Sequence, residues 1–315
     1  MTWRNQTSVM EFVLLAFSHL SVPLPILMFT LFLLIYFITL SGNLMIIALV
    51  TVEPVLNTPM YFFLRNLSFL EICYTSVILP KMLQTFLLEE NHISFAACAV
   101  QLFSFTLLAV TESFLLATMA YDRYVAICNP LHYTIMMSNN VCARLAASSW
   151  AIGTLVSLVQ TSLIFNLPYC GPNKITHFFC DIAPLLNLAC SDTRMIEFEI
   201  SLCSMFFGMT PCLLVVISYA SIITAILKIH SSKGRSKVFS TCASHLTSVS
   251  LFYGSGSLIY VLPKSIYTQD MAEIISLFYL VVTPLLNPLI YSLRNKEMKT
   301  ALRKLTVGQV ASQKW

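Results

Sequence analysis

The chain has 315 residues, of which 57% are hydrophobic and 10% charged, and its mean hydropathy is +0.79. A soluble domain carries roughly 25% charged residues, so this composition excludes a water-soluble globule. A formal net charge of +4 gives no reason to invoke nucleic acid.

Crossing a bilayer takes about 20 mostly apolar residues. Uncharged runs of that length recur at 12–52, 91–111, 145–173, 200–227, 238–263 and 274–293. Pro23 and Pro25 interrupt the first run, and proline is tolerated best at a helix start, so helix 1 is predicted over Leu24–Val50. Helix 2 follows at Pro59–Leu79 despite Arg65 and Glu71, and helix 3 at Phe95–Ile127 despite Glu112, Asp122 and Arg123. Helices 4 to 7 are predicted at Val141–Phe165, Glu197–Ile229, Val238–Leu262 and Met271–Leu293. The organisation expected is a tail over 1–23, one seven-helix membrane domain over 24–293 and a second tail over 294–315. No stretch of the first tail has the order of a cleaved signal peptide, so helix 1 is expected to be its own anchor.

Basic residues stay on the cytoplasmic side of short loops. With the N-terminus outside, only Arg4, Lys81, Lys174, Arg194 and Lys264 of the 18 Lys and Arg face outward, and the rest face inward. That bias predicts an N-terminus on the outer side of the membrane. Asn5-Gln6-Thr7 is then a glycosylation sequon in the exposed tail, whereas Asn66-Leu67-Ser68 lies inside helix 2, out of reach. Of ten cysteines, Cys170, Cys180 and Cys190 fall in the long outer loop and Cys98 opens helix 3 on the same face. Four cysteines in an oxidising compartment suggest two bridges, with three possible connectivities. The remaining six are expected to pack as small apolar residues. After helix 7, Met298, Leu302 and Leu305 recur at i, i+4 and i+7 among basic residues, the pattern of a helix lying in the membrane interface.

Charge inside a membrane costs about 2.5–3.5 kcal/mol on insertion scales, so buried ionisable residues are functional candidates. Glu71 and Glu112 sit at mid-span, with Asn43 in helix 1 and Asn287 in helix 7 as polar companions. Their oxygens suit sodium or a shared proton; a purely structural polar network is the alternative. Asp122-Arg123-Tyr124 ends helix 3 at the inner face, where three residues alone would signify no more than interface anchoring.

The surrounding sequence, Met119-Ala120-Tyr121-Asp122-Arg123-Tyr124-Val125-Ala126-Ile127-Cys128, resembles the helix 3 signature of olfactory receptors, within the rhodopsin-like G-protein-coupled receptors. The resemblance continues in order through Gly42-Asn43, Thr58-Pro59-Met60-Tyr61-Phe62-Phe63-Leu64, Ser218-Tyr219, Phe239-Ser240-Thr241-Cys242-Ala243-Ser244-His245 and Asn287-Pro288-Leu289-Ile290-Tyr291. It covers the chain from the sequon to Leu305. Asn57 replaces the family's usual His before Thr-Pro-Met-Tyr, and Val238 its usual Ala before Phe-Ser-Thr-Cys.

The resemblance implies an all-α, seven-helix receptor that binds a small volatile odorant, activates a stimulatory heterotrimeric G protein and raises cAMP. It implies bridges Cys98–Cys180 and Cys170–Cys190. It also implies a switch in which Asp122 holds Arg123 at rest, Tyr124 belongs to the same motif, and Tyr219, Asn287, Pro288 and Tyr291 reorganise on activation. Pro211 and Pro288 remove backbone hydrogen bonds and give helices 5 and 7 places to bend, while Lys233, Arg235 and Lys237 flank helix 6 on the inner side.

Helical spacing places a ligand pocket on helices 3, 5 and 6: Phe105, Thr106 and Ala109; Cys203, Ser204 and Phe207; and Tyr253, Ser257 and Tyr260. Amine-binding receptors of the superfamily carry an Asp where Phe105 stands, so a mostly apolar ligand is expected, with Tyr260 as its hydrogen-bond donor. A chemosensory receptor outside the olfactory epithelium and a transporter are the other readings, the latter lacking paired broken segments. Hydrolase and metalloprotease motifs are missing, and apart from sodium no cofactor is expected.

Overall fold

The computed structural model describes residues 9–15, 24–88, 91–170, 172–228, 231–260, 269–294 and 297–304, the side chains of residues 232–234, 236–237, 240–241, 257–260, 269–270, 272–273 and 292–294 excepted. Asn5 lies outside these residues. Long helices dominate: α1 (Leu24–Val52), α2 (Pro59–Leu87), α3 (Phe95–Cys128), α4 (Asn139–Phe165), α5 (Arg194–Leu227), α6 (Ser232–Tyr260), and α7, which runs through Gln269–Leu277, Phe278–Val282 and Thr283–Arg294. Among the described residues, six of these are long and apolar enough to cross a membrane. The seventh, α6, has 29 residues but opens on Lys233, Arg235 and Lys237 and is rich in Ser and Thr. Residues 297–304 form a further helix, α8, with Met298 and Ala301 buried and Lys299 and Arg303 exposed, as an interfacial amphipathic helix requires.

Helix 2 departs most from the sequence expectation. It continues to Leu87 through Pro80, because Lys81 and Gln84 lie near its end, where a charged side chain can reach out of the hydrocarbon. Two π-helical turns interrupt the later helices, Met205–Met209 in α5 and Phe278–Val282 in α7. Each precedes a proline, Pro211 or Pro284, whose ring would clash with the carbonyl four residues earlier. Phe207 and Leu280 carry those carbonyls, and both lie inside the widened turn that relieves the clash. In α7 the irregular turn is therefore associated with Pro284, while Pro288 sits within the helical segment Thr283–Arg294.

The chain divides into two compact units. One comprises residues 1–37, 73–111 and 150–209 and holds both disulfides; the other comprises 38–72, 112–149 and 210–315. In the first unit the N-terminal segment is not only a tail. Strand β1 (Glu11–Leu14) lies between β2 (Asn91–Ser94), antiparallel, and β3 (Lys174–Ile175), parallel. Phe12 pairs with Ile93, and Leu14 with Ile175. Phe12, Leu14, Ile93 and Ile175 are buried with Leu102, Ile164 and Leu185 in one core. The Phe12 ring stacks on Phe95 at 6.0 Å and meets Tyr169 edge-on at 5.5 Å. Gly153 lets α4 approach α3, since a Cβ there would meet the Thr111 hydroxyl and come within 2.7 Å of the Leu107 carbonyl.

In the second unit Gly42 permits a similar approach: a Cβ at that position would lie 3.1 Å from the Pro288 Cβ. The Tyr61 hydroxyl donates to Glu297 at 2.7 Å, and the Lys304 ammonium lies 3.6 Å from Glu53, which fixes both ends of α8.

Candidate functional site

The residues expected to meet a ligand fall in both units and are described unit by unit. In the first, Phe105 is buried and its ring packs against Tyr74 at 5.8 Å and Phe179 at 5.1 Å. Phe179 comes from the loop after α4, so that loop reaches α3 directly. Two further ties hold it there, and one more bridge closes the loop on itself. Cys180 is bonded to Cys98 with Cα atoms 5.6 Å apart, Cys170 is bonded to Cys190 at 5.9 Å, and the Cys180 N–H donates to the Gln101 side-chain carbonyl at 2.9 Å. Gln101 in turn donates to the Val77 carbonyl, 3.1 Å away.

His177 of the same loop is buried between Phe178 and Phe179, with ring centroids at 4.5 and 4.7 Å. Burial among these rings penalises the imidazolium and pulls its pKa down to about 3. Thr106 is buried, and its hydroxyl has no hydrogen-bond partner among the described residues. Ala109 and Phe207 are half-buried, and Ser204 is exposed.

Cys203 donates its thiol to Glu199 at 2.9 Å, and the second Glu199 carboxylate oxygen is buried without a described partner. Sequence reasoning passed over Glu199. It is a charged residue inside a predicted span, which was itself the signal.

In the second unit Tyr253 donates to the Ser113 carbonyl at 3.1 Å and lies 2.9 Å from the Ser113 hydroxyl. A phenol has one proton, so with that proton on the carbonyl the Ser113 hydroxyl is the donor of the second bond. Ser257 and Tyr260 have no described side chains.

Of the polar mid-membrane set, Asn287 donates to Glu71 and accepts from Ser248. Nothing in the sequence around Ser248 shows which helix it faces. Asn43 donates to the Thr39 carbonyl of its own helix at 3.0 Å. Glu112 is 3% exposed, and one of its oxygens has no described partner, as is true of the Thr39 hydroxyl. Among the described residues no group of three or more His, Cys, Asp or Glu is arranged to hold a metal. The available donors are carboxylate, hydroxyl and amide oxygens, which suit a hard cation and not a soft one.

At the C-terminal end of α3, Asp122 is paired through both carboxylate oxygens. Asp122 is 0% exposed; Arg123 donates to it through Nε at 3.1 Å and through a terminal nitrogen at 2.7 Å. Its other oxygen accepts from the Tyr133 hydroxyl at 2.7 Å. Tyr133 lies on the short turn Tyr133–Met136, and burial together with the Asp122 charge pushes its pKa upward. Tyr124 is half-buried.

Tyr219 on α5 and His245 on α6 are 2.7 Å apart, and His245 Nε2 is 3.1 Å from the Leu116 carbonyl. A carbonyl only accepts, so Nε2 carries the proton, Nδ1 is bare, and Tyr219 is the donor to it. Helices α3, α5 and α6 are thereby tied at one level. Tyr291 is buried at 2% exposure.

Comparison with known proteins gives consistent results. The olfactory receptor family profile matches residues 32–309. Human olfactory receptor 10A5 is 53% identical over 300 residues, covering 95% of both chains. Human olfactory receptor 10A4 is 49% identical over 314 residues, covering 100% of both, and mouse olfactory receptor 9S13 is 49% identical over 299 residues, covering 95% of this chain and 89% of its own. Squid rhodopsin superposes with a TM-score of 0.70 at 21% identity, covering 98% of this chain and 93% of its own, so the two share the seven-helix fold.

Proposed function

Because the chain belongs to the olfactory receptor family, a multi-pass membrane receptor and not an enzyme, we propose that it detects a small, mostly apolar odorant at the plasma membrane and activates a stimulatory heterotrimeric G protein, raising cAMP. In this reading the N-terminus is extracellular. The observation that carries the proposal is Arg123, held by Asp122 at the inner end of α3, in a chain that matches olfactory receptors along nearly its whole length.

The resting state keeps Arg123 on Asp122. Odorant binding favours an arrangement in which the guanidinium is released to the G protein, and Tyr219, Asn287, Pro288 and Tyr291 reorganise beneath it. A ligand shifts such an equilibrium only by its differential affinity for the two states, so the odorant must contact residues that differ between them. Phe105, Thr106, Ala109, Cys203, Ser204, Phe207, Tyr253, Ser257 and Tyr260 are the residues assigned to that contact. The hydroxyl of Thr106 supports the assignment, since a buried unpaired donor costs about 1–3 kcal/mol that a ligand oxygen would offset.

Glu71, Glu112, Asn43 and Asn287 would hold sodium or share a proton. A bound cation supplies charge neutralisation for the two carboxylates, which otherwise repel. The orphaned Glu112 oxygen fits that role.

The test is expression in cells that carry a stimulatory G protein and a cAMP reporter, screened with a chemically diverse odorant panel. A dose-dependent cAMP rise, lost in Arg123→Ala at equal surface expression, is expected. Ion flux without G protein would favour a transporter.

A further inference from the structure

A groove of about 430 Å³ opens on the outer surface of the first unit. Its lining includes Val77, Lys81 and Gln84 of α2, Ile93 of β2 and Ala97 and Val100 of α3. None of these belongs to the ligand set above. Val100 is 63% exposed in the chain alone, on a helix long and apolar enough to cross a membrane.

Depth follows from length. With 29 residues, α2 is about 43 Å long at 1.5 Å per residue, against about 30 Å of hydrocarbon. Lys81 stands six residues before its end, roughly 9 Å below it, where acyl chains give way to headgroups. The ammonium donates to Gln84 Oε1 at 3.0 Å and to the His92 carbonyl at 2.6 Å. An ammonium has three N–H donors, so one remains. Among the described residues no carboxylate lines the groove; the Glu11 carboxylate nearby lies 3.3 Å from His92 Nδ1. A pre-oriented cation above an apolar trough, at the depth of lipid phosphates, is complementary to one class of molecule.

We propose that this groove binds a phospholipid of the adjoining leaflet, its phosphate on the remaining Lys81 donor and an acyl chain along Val77, Ala97 and Val100. A lysine that merely reaches for water would need neither the trough nor the two fixed acceptors that orient it.

The test uses the full chain purified in mild detergent, incubated with dioleoyl phosphatidylglycerol or with dioleoyl glycerol, which lacks the phosphate, and read by native mass spectrometry for retained lipid. The wild type is expected to keep phosphatidylglycerol and to lose dioleoyl glycerol. Lys81→Gln should weaken retention roughly tenfold, the factor of one charged hydrogen bond, and Lys81→Arg should restore it. Val100→Trp, which fills the trough and leaves the cation, should also lose the lipid, so the proposal does not depend on one variant folding. Undiminished retention in Lys81→Gln or in Val100→Trp, or equal retention of dioleoyl glycerol, would overturn it.

Discussion

The Tyr133 hydroxyl donates to Asp122 at 2.7 Å, on the carboxylate oxygen that Arg123 leaves open. Asp122 is thus held from two sides, and a hydrogen bond to a charged group contributes about 1.5–3 kcal/mol. Tyr133→Phe should loosen the carboxylate and raise ligand-independent cAMP severalfold, whereas Arg123→Ala should reach the surface and give none. Basal cAMP at the wild-type level in Tyr133→Phe, at matched expression, would refute the latch.

The Cys98–Cys180 bridge fastens the loop that carries Phe179 onto Phe105. A bridge of this kind contributes about 2–4 kcal/mol. Cys180→Ser is expected to abolish surface expression, and Cys170→Ser to reduce it less, because Cys170–Cys190 closes 20 residues instead of 82. Flow cytometry of an N-terminal epitope tag reads both.

His177 gives a pH dependence with a definite sign. Its folded pKa, about 3, lies below the ordinary 6.5. Between those values the opened loop binds a proton that the closed loop refuses, so stability is complete above pH 6.5 and falls as pH drops below it. The loss approaches about 1.4 kcal/mol per pH unit. The protection of amides in residues 175–182, corrected for the pH dependence of intrinsic exchange, should therefore fall between pH 6.5 and 5, and that of His177→Phe should be flat across that range. Equal slopes in both proteins would remove the effect.

Glu71→Gln and Glu112→Gln each remove a charge and keep most hydrogen bonding. If the pair serves sodium, the odorant dose-response of the wild type shifts when sodium is replaced by choline, and that of either variant does not. An identical sodium dependence in all three leaves only a structural network.

Loss of contact area at Phe207 and of one hydrogen bond at Tyr260 should differ in size. Tyr260→Phe is expected to reduce potency roughly threefold to tenfold, Thr106→Val to act similarly, and Phe207→Ala to cost more. Wild-type dose-response curves from all three at matched surface expression would place the ligand elsewhere.

The helices were legible because apolar length is a one-dimensional signal. Leu24 and Pro59 start where proline and hydropathy put them, and α3 and α4 end within two residues of expectation. The sheet was not legible, since β1 and β2 are four residues long and β3 two, too short for alternation to rise above the apolar background. Glu71 and Asn287 could be named as intramembrane polar groups, but their direct bond, and Ser248 behind it, depend on helix rotation, which hydropathy does not encode. Tyr133 sits in a connection where nothing in the local pattern distinguishes it from Tyr121 or Tyr124.

Strand β1 also sets an order of assembly. Its antiparallel partner is made about 80 residues later and its parallel partner about 160. At roughly 5–20 residues per second, Glu11–Leu14 waits on the order of 10–30 s with unpaired edges and Phe12 uncovered. An apolar strand in that state readily pairs with a neighbouring chain. The sheet is thus completed only after α4 has been made, which leaves residues 11–14 dependent on protection during synthesis.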